Sequence, residues 1–189
     1  MSNHSNRMGQ VDQPLQDILE KLPTALTLAA NDRADMPIIA ANTAFLELCG
    51  YPLEQVLGRN CRFLQGDHEN DDARAELRAA MRDRRATKVL LRNRHADGAS
   101  FWNYLSIFPV FADRGTVAEM TLGAQFLLDG QEAAGLQGAQ DAWTEDDVKL
   151  SLRQHRALLL ERRRLSIDAA VRLVESHMLL RSLSRGQAR

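Results

Sequence analysis

The distribution of apolar and polar residues along the chain predicts strands in two groups. Two short apolar runs, TALTLAA and PIIAAN, flank a polar loop within residues 24–42 and predict a first pair of strands. Three longer runs begin at Ala86, Ser100 and Val117 and predict a meander, because the turns between them contain ADG and DRG. With helical segments between the two groups, this order predicts an α+β fold in which helices cover one face of a five-stranded antiparallel sheet.

Helical periodicity accounts for most of the chain between the strands. Residues 11–22 carry apolar side chains at helical spacing and predict a short amphipathic helix. Asn42 is a suitable N-cap for the helix TAFLELC, which we expect to end at Gly50, and Pro52 suits the first turn of another small helix. Residues 71–85 begin with acidic and end with basic side chains, which is typical of a helix.

The pattern divides the chain into four segments. We expect a polar tail and amphipathic helix over residues 1–22 and the α+β core over 23–129. A segment rich in Gly, Ala and Gln at 130–143 is interpreted as a linker, and residues 144–189 as a helical extension. Ser166 is the predicted site of a break within that extension.

Composition and charge narrow the class of protein. Apolar residues make up 44% of the chain and charged residues 26%, which predicts a packed core, and the net charge of -1 argues against a general nucleic-acid or membrane-surface binder. No apolar run approaches the roughly 20 residues of a membrane span. The first ten residues lack a secretion signal, so we expect a cytoplasmic protein. Of the two cysteines, Cys49 lies on an apolar helix and is interpreted as structural.

The second cysteine, Cys61, lies in the stretch GRNCRFLQG and permits several kinds of chemistry. A phosphatase loop would need an arginine six places later, where the chain has Asp67. A zinc site would need clustered ligands, but the five histidines are scattered, so we predict no metal site. A hydrolase would need a histidine base, and His68 or His95 could serve. A buried structural thiol is the remaining alternative.

The stretch GRNCRFLQG resembles the flavin-binding motif of LOV domains, the blue-light-sensing branch of the PAS fold. The resemblance extends from about Leu26 to Leu128 and includes PIIAAN, FWN and GAQF. It implies a photoreceptor with an FMN cofactor, in which light causes the Cys61 sulfur to bond reversibly to flavin carbon C4a. It also implies that the protein is not a turnover enzyme, because this bond forms and reverses on its own cofactor.

The resemblance assigns roles along the length of the cofactor. Arg62 and Arg78 match the two arginines that bind the FMN phosphate, a role suited to planar and permanently charged guanidinium groups. Asn60 and Gln65 match positions that line the ribityl chain, and we also place Thr27 among the cofactor-binding residues.

Three further amides are assigned to the flavin ring. Asn93 and Asn103 match the pair at the pyrimidine edge, and Gln125 matches the glutamine at N5 and O4, which must rotate or change partner when N5 is protonated. Strand alternation independently places the asparagines on apolar rows beside Leu91 and Leu105. A buried amide without a partner there costs about 1–3 kcal/mol, so the pattern favours a polar ligand.

Two positions depart from the family pattern. Arg94 stands where an aromatic residue is common, and Met36 stands where an asparagine that contacts the ribityl chain is frequent. We expect these differences to affect loop geometry and the rate of dark recovery, and not flavin binding itself.

The other face of the predicted sheet is also apolar, so another element must cover it. The candidates are the N-terminal helix, the C-terminal helices or a second copy, and we expect a homodimer whose association changes on illumination. The basic stretch ERRRL permits an alternative, a light-regulated nucleic-acid-binding helix, although charge runs on helices usually face solvent. A flavin redox protein without signalling is disfavoured by the cysteine motif. The apolar residues of this face are Trp102, Tyr104, Phe108, Met120, Leu122, Phe126 and Leu128.

Overall fold

The computed structural model describes residues 11–111, 119–128, 130 and 167–180. The tail, the second hairpin turn, the predicted linker, the start of the C-terminal extension, its break at Ser166 and the basic stretch ERRRL all lie outside the described residues. Within the described ranges, no helix is both long enough and apolar enough to cross a bilayer.

The secondary structure follows the predicted order. The strands are β1 (Ala25–Ala30), β2 (Ile38–Ala41), β3 (Thr87–Arg94), β4 (Ser100–Val110) and β5 (Met120–Leu128). The helices are α1 (Gln13–Glu20), α2 (Thr43–Cys49), α3 (Leu53–Val56), α4 (Asp71–Arg82) and α5 (residues 167–180), with a 3-10 helix over Cys61–Gln65. Helix α4 therefore ends three residues before the predicted boundary at residue 85.

The five strands form one antiparallel sheet in the order β2-β1-β5-β4-β3, which confirms the predicted fold class. β1 and β5 are central neighbours although they are far apart in the sequence. Because β4 pairs with both β3 and β5, side chains of one parity on these three strands share one face. This inner face, opposite the one covered by α1 and α5, carries the candidate site.

Asn42 joins the first helices to the sheet. Its side-chain oxygen accepts hydrogen bonds from the backbone N–H of Phe45 at 3.1 Å and of Leu26 at 2.9 Å, so the predicted N-cap of α2 also holds the start of β1. Its amide nitrogen donates to three backbone carbonyls at the end of α1 and the following turn. These belong to Leu19, Leu22 and Thr24, at 3.0, 3.2 and 2.8 Å. A buried polar group satisfied in this way stabilises the junction.

Helices α1 and α5 of the same chain cover the outer face of the sheet. Four side chains of α5 share an apolar cluster with the outer residues of β1 and β5 and with two leucines of α1. The helices are also joined through His177, whose Nε2 lies 3.1 Å from the carboxylate of Asp12, the N-cap of α1. The buried residues from the helices are Ile167, Ala170, Val174, Met178, Leu15 and Leu19.

Candidate functional site

A cavity of about 460 Å³ lies between the inner face of the sheet, α4 and the 3-10 helix, within the usual range for ligand pockets. It brings together residues from segments that are distant in sequence. All nine site residues predicted from the sequence line it; their roles toward a cofactor stay predictions. They are Thr27, Asn60, Cys61, Arg62, Gln65, Arg78, Asn93, Asn103 and Gln125.

Local backbone contacts hold Cys61 at the wall of this cavity. The backbone N–H of Gly58 donates to the carbonyl of Ile38 at 2.9 Å, and the Ile38 N–H donates to the carbonyl of Arg59 at 2.8 Å. The segment before the cysteine therefore extends the edge of the sheet beside β2. Asn60 then caps the 3-10 helix by accepting a hydrogen bond from the Arg62 N–H at 3.0 Å, which places Cys61 at its first position.

The Cys61 thiol is half-buried, with the cavity on its open side. Burial raises its pKa from 9.0 to about 12, and the nearby Cys49 thiol adds a smaller effect in the same direction. The group therefore keeps its proton at neutral pH. This does not suit a cysteine hydrolase or phosphatase, which needs a thiolate nucleophile.

Neither histidine that could have served as a base lines the cavity. His68 has its Nε2 2.9 Å from the Ser100 hydroxyl, and His95 packs against Gly50, where an added Cβ would lie 2.3 Å from the imidazole. Among the described residues, the hydrolase hypothesis therefore lacks a histidine base in the cavity. Nor do these residues include a group of three or more histidine, cysteine or acidic side chains that could hold a metal ion.

Three amides form a diagonal row across β3, β4 and β5. Asn103 pairs in register with Leu91, two residues before Asn93, and Leu105 pairs with Gln125. The three amide side chains are at most 2% exposed, and each has a side-chain oxygen without a hydrogen-bond partner. An unsatisfied buried carbonyl costs about 1–3 kcal/mol, so the row favours a ligand that offers N–H donors.

The Gln125 amide is held from the neighbouring strand. Its nitrogen donates to the Thr27 hydroxyl at 3.2 Å, which leaves its oxygen to the cavity. Gly123 provides the space for this contact, since a Cβ there would lie 2.8 Å from the Thr27 oxygen and 3.0 Å from the Gln125 nitrogen. The sequence motif GAQF thus has a steric reason for its glycine.

One end of the cavity is cationic. Arg62 pairs with Asp35, whereas Arg78 has no hydrogen bond or ion pair among the described residues. Arg74, which was not among the residues predicted from the sequence, donates from Nε to the Gln65 side-chain oxygen at 2.6 Å. Its position one helical turn before Arg78 is the sequence feature that could have identified Arg74 as a lining residue. The three guanidinium groups suit an anionic group such as a phosphate.

The two departures from the family pattern lie on different sides of the site. Met36 lines the cavity with a left-handed backbone, at φ 47°. The Arg94 guanidinium packs over Gly66 and pairs with Asp67 at 3.4 Å, so it links β3 to the segment that follows the 3-10 helix. It does not line the cavity.

In their chemistry, these features fit a flavin that carries an anionic group. Buried amide oxygens suit the N–H of the pyrimidine edge, a neutral thiol lies on the cavity wall, and arginines lie at one end. The apolar inner-face side chains suit an aromatic ring system. They are Leu91, Leu105 and Ile107, and Leu77 and Met81 of α4 face them across the cavity.

Comparison with known proteins agrees with this geometry. The family model described as a PAS domain matches residues 23–123. The LOV domain of the EL346 blue-light-activated histidine kinase from Erythrobacter litoralis is 36% identical, with a TM-score of 0.54, and the alignment covers 57% of this chain and 97% of that one. This chain belongs to the LOV branch of the PAS domain family. LOV domains bind a flavin chromophore.

Two further relatives show how far this LOV chain matches known proteins. The crystal structure of the Rhodobacter sphaeroides LOV protein is 32% identical with a TM-score of 0.59, covering 90% of this chain and 95% of that one. A blue-light-activated histidine kinase from Rhizobium johnstonii is 44% identical over 98 residues, which are 52% of this chain. The match spans only 28% of the length of that kinase.

Proposed function

We propose that this LOV chain is a blue-light photoreceptor that binds FMN and signals through helix packing and association. The observation that carries the proposal is the meeting, in one cavity, of the Cys61 thiol with three buried amides that lack partners. The related kinases couple such a domain to an enzyme. We propose that this chain acts as a sensor and not as a turnover enzyme.

The described residues would bind and orient the flavin. A bound flavin would supply the absorption of blue light and the electrophilic ring carbon to which the Cys61 sulfur bonds reversibly. Because its pKa is raised to about 12, Cys61 would bring both a sulfur and a proton to that site. Arg62 and Arg78 would hold the phosphate, Asn60 and Gln65 the ribityl chain, and Asn93, Asn103 and Gln125 the polar edge of the ring.

The first test is spectroscopic. We expect the purified chain to be yellow, to lose its blue absorption on illumination and to regain it in darkness. Release of the cofactor by denaturation and chromatography would identify it as FMN. A colourless chain that takes up no flavin when FMN is supplied would contradict the proposed function.

We propose that the chain forms a homodimer through α5. One face of this helix packs on the sheet, but Leu173 and Leu180, one heptad apart, are 46% and 64% exposed. Leu173 and Leu180 therefore form an apolar stripe on the solvent side of the helix, and Leu179, which is 47% exposed, lies about 100° around the helix from Leu180. A second copy of α5 would cover this stripe by an isologous contact.

Light is expected to change this association through Gln125. The amide hydrogen-bonds Thr27 on β1, and the outer faces of β1 and β5 pack on α1 and α5. A shift at Gln125 therefore reaches the helices through two strands, and about 1–3 kcal/mol is enough to move such an equilibrium. Light scattering should give different masses or radii for dark and lit samples, and Gln125→Leu should reduce the difference while bleaching persists.

Two controls separate the parts of this prediction. Deleting residues 144–189 should weaken the dimer and leave flavin binding intact, whereas an equally strong dimer would exclude the C-terminal helices. An undiminished difference between lit and dark Gln125→Leu would show that the signal leaves the cavity by another route.

A further inference from the structure

The loop between β1 and β2 places a carboxylate at the cationic end of the cavity. Asp35 forms an ion pair with Arg62, and its backbone carbonyl accepts a hydrogen bond from the Asn60 amide at 2.6 Å. The loop adopts left-handed backbone angles at Asp35 and Met36, with φ 66° and 47°. Two contacts therefore hold Asp35 against the residues on either side of Cys61. Both Asp35 and Arg62 line the cavity.

This carboxylate lies where the proposed phosphate would bind. A phosphate monoester carries a charge of about −1.5 to −2 at neutral pH, so it would share Arg62 with an anion of the same sign. Arg78, in contrast, is not paired with any other described residue. The two arginines are therefore not equivalent, since only Arg62 has part of its charge already compensated.

We infer that Asp35 is a specificity-determining residue, which competes with the flavin phosphate for Arg62 and so limits the preference for FMN over riboflavin. This inference rests on the proposed function. The side chains of Arg62 and Asp35 are 58% and 57% exposed, and exposed pairs of this kind are weak enough to exchange partners. Repulsion between the carboxylate and the phosphate then weakens the binding of FMN and leaves the binding of riboflavin unaffected.

The variant Asp35→Asn removes the charge and keeps the loop. Asparagine tolerates left-handed backbone angles and can still accept a hydrogen bond from Arg62. A matched control is Asp67→Asn, which removes the same charge from the loop that follows the 3-10 helix Cys61–Gln65. Asp67 pairs with Arg94 and does not line the cavity.

The experiment measures dissociation constants of FMN and riboflavin for the full-length, flavin-free chain by fluorescence titration. We expect Asp35→Asn to raise the ratio of riboflavin to FMN dissociation constants about threefold, through tighter FMN binding, at low salt. Riboflavin affinity should not change, and Asp67→Asn should leave the ratio unchanged. In single variants, Arg78→Gln should lose more FMN affinity than Arg62→Gln.

Other outcomes overturn the inference in distinguishable ways. A lower ratio in Asp35→Asn would mean that Asp35 orients Arg62 toward the phosphate. An unchanged ratio, with or without a common loss of affinity for both flavins, would restrict Asp35 to holding the loop. If the unmodified chain binds neither flavin, the proposed function fails and the inference fails with it.

Discussion

Replacing Cys61 with alanine is expected to abolish reversible bleaching while the flavin stays bound. The groups expected to bind the flavin most strongly are the buried amides and the arginines, and none of them depends on this thiol for its position. Among the described residues that line the cavity, Cys61 has the one thiol, and the other sulfur atoms are the thioethers of Met36 and Met81. Absorption spectra recorded before and after blue illumination would check this directly, and we expect complete loss of the recovering signal.

The matched control for this experiment is Cys49→Ala. Cys49 is fully buried in α2 and does not line the cavity, so its removal should lower stability modestly and leave the photocycle in place. Removing one sulfur atom from a packed core lowers the free energy of unfolding by about 1 kcal/mol. Reversible bleaching in Cys61→Ala, together with its loss in Cys49→Ala, would show that the reactive thiol had been assigned to the wrong cysteine.

Replacing both Arg62 and Arg78 with glutamine is expected to remove the preference for FMN over riboflavin. Hydrogen bonds between charged groups contribute about 1.5–3 kcal/mol each when shielded from water. Arg62 is more than half exposed and already paired with Asp35, so we expect about 2 kcal/mol for the two together. This corresponds to about thirtyfold weaker FMN binding, with little change for riboflavin.

Fluorescence titration with the two flavins measures this effect, and a second pair of arginines provides the control. Arg82 and Arg85 pair with Asp83 and Glu76 outside the cavity, so replacing them with glutamine removes the same charge. If that control pair lowers FMN affinity as much, the effect comes from net charge and not from a phosphate site. If the unmodified chain shows no preference for FMN, the phosphate roles of Arg62 and Arg78 are wrong.

Local signals in the sequence were sufficient for most of the fold. Short apolar runs bounded by turn residues identified all five strands, and Asn42 and Gly50 marked the ends of α2 because capping depends on neighbouring residues. Alternation also put Asn93 and Asn103 on the inner face, since one residue of register decides the face of every side chain in a strand. The family resemblance supplied the other predicted site residues, of which Asn60, Cys61, Arg62 and Gln65 lie in the motif around the cysteine.

Contacts between distant loops could be found only in the tertiary structure. The pairing of Asp35 with Arg62, and of Arg74 with Gln65, depends on where loops and helix ends meet, and such meetings leave no periodic pattern. The raised pKa of Cys61 has the same origin, because it results from burial by residues brought together from several segments.

The outer face of the sheet shows most clearly which features the sequence determines and which depend on tertiary contacts. The sequence by itself determined that this face needs an apolar partner, because exposed aromatic and aliphatic side chains on β4 and β5 are unfavourable in water. It also determined that the N-terminal and C-terminal helices carry matching apolar stripes. Only the tertiary structure decided that α1 and α5 of the same chain supply the cover, joined by His177 and Asp12. Because the hydrophobic effect is non-directional, an apolar stripe predicts that its residues are buried but does not predict which surface they pack against.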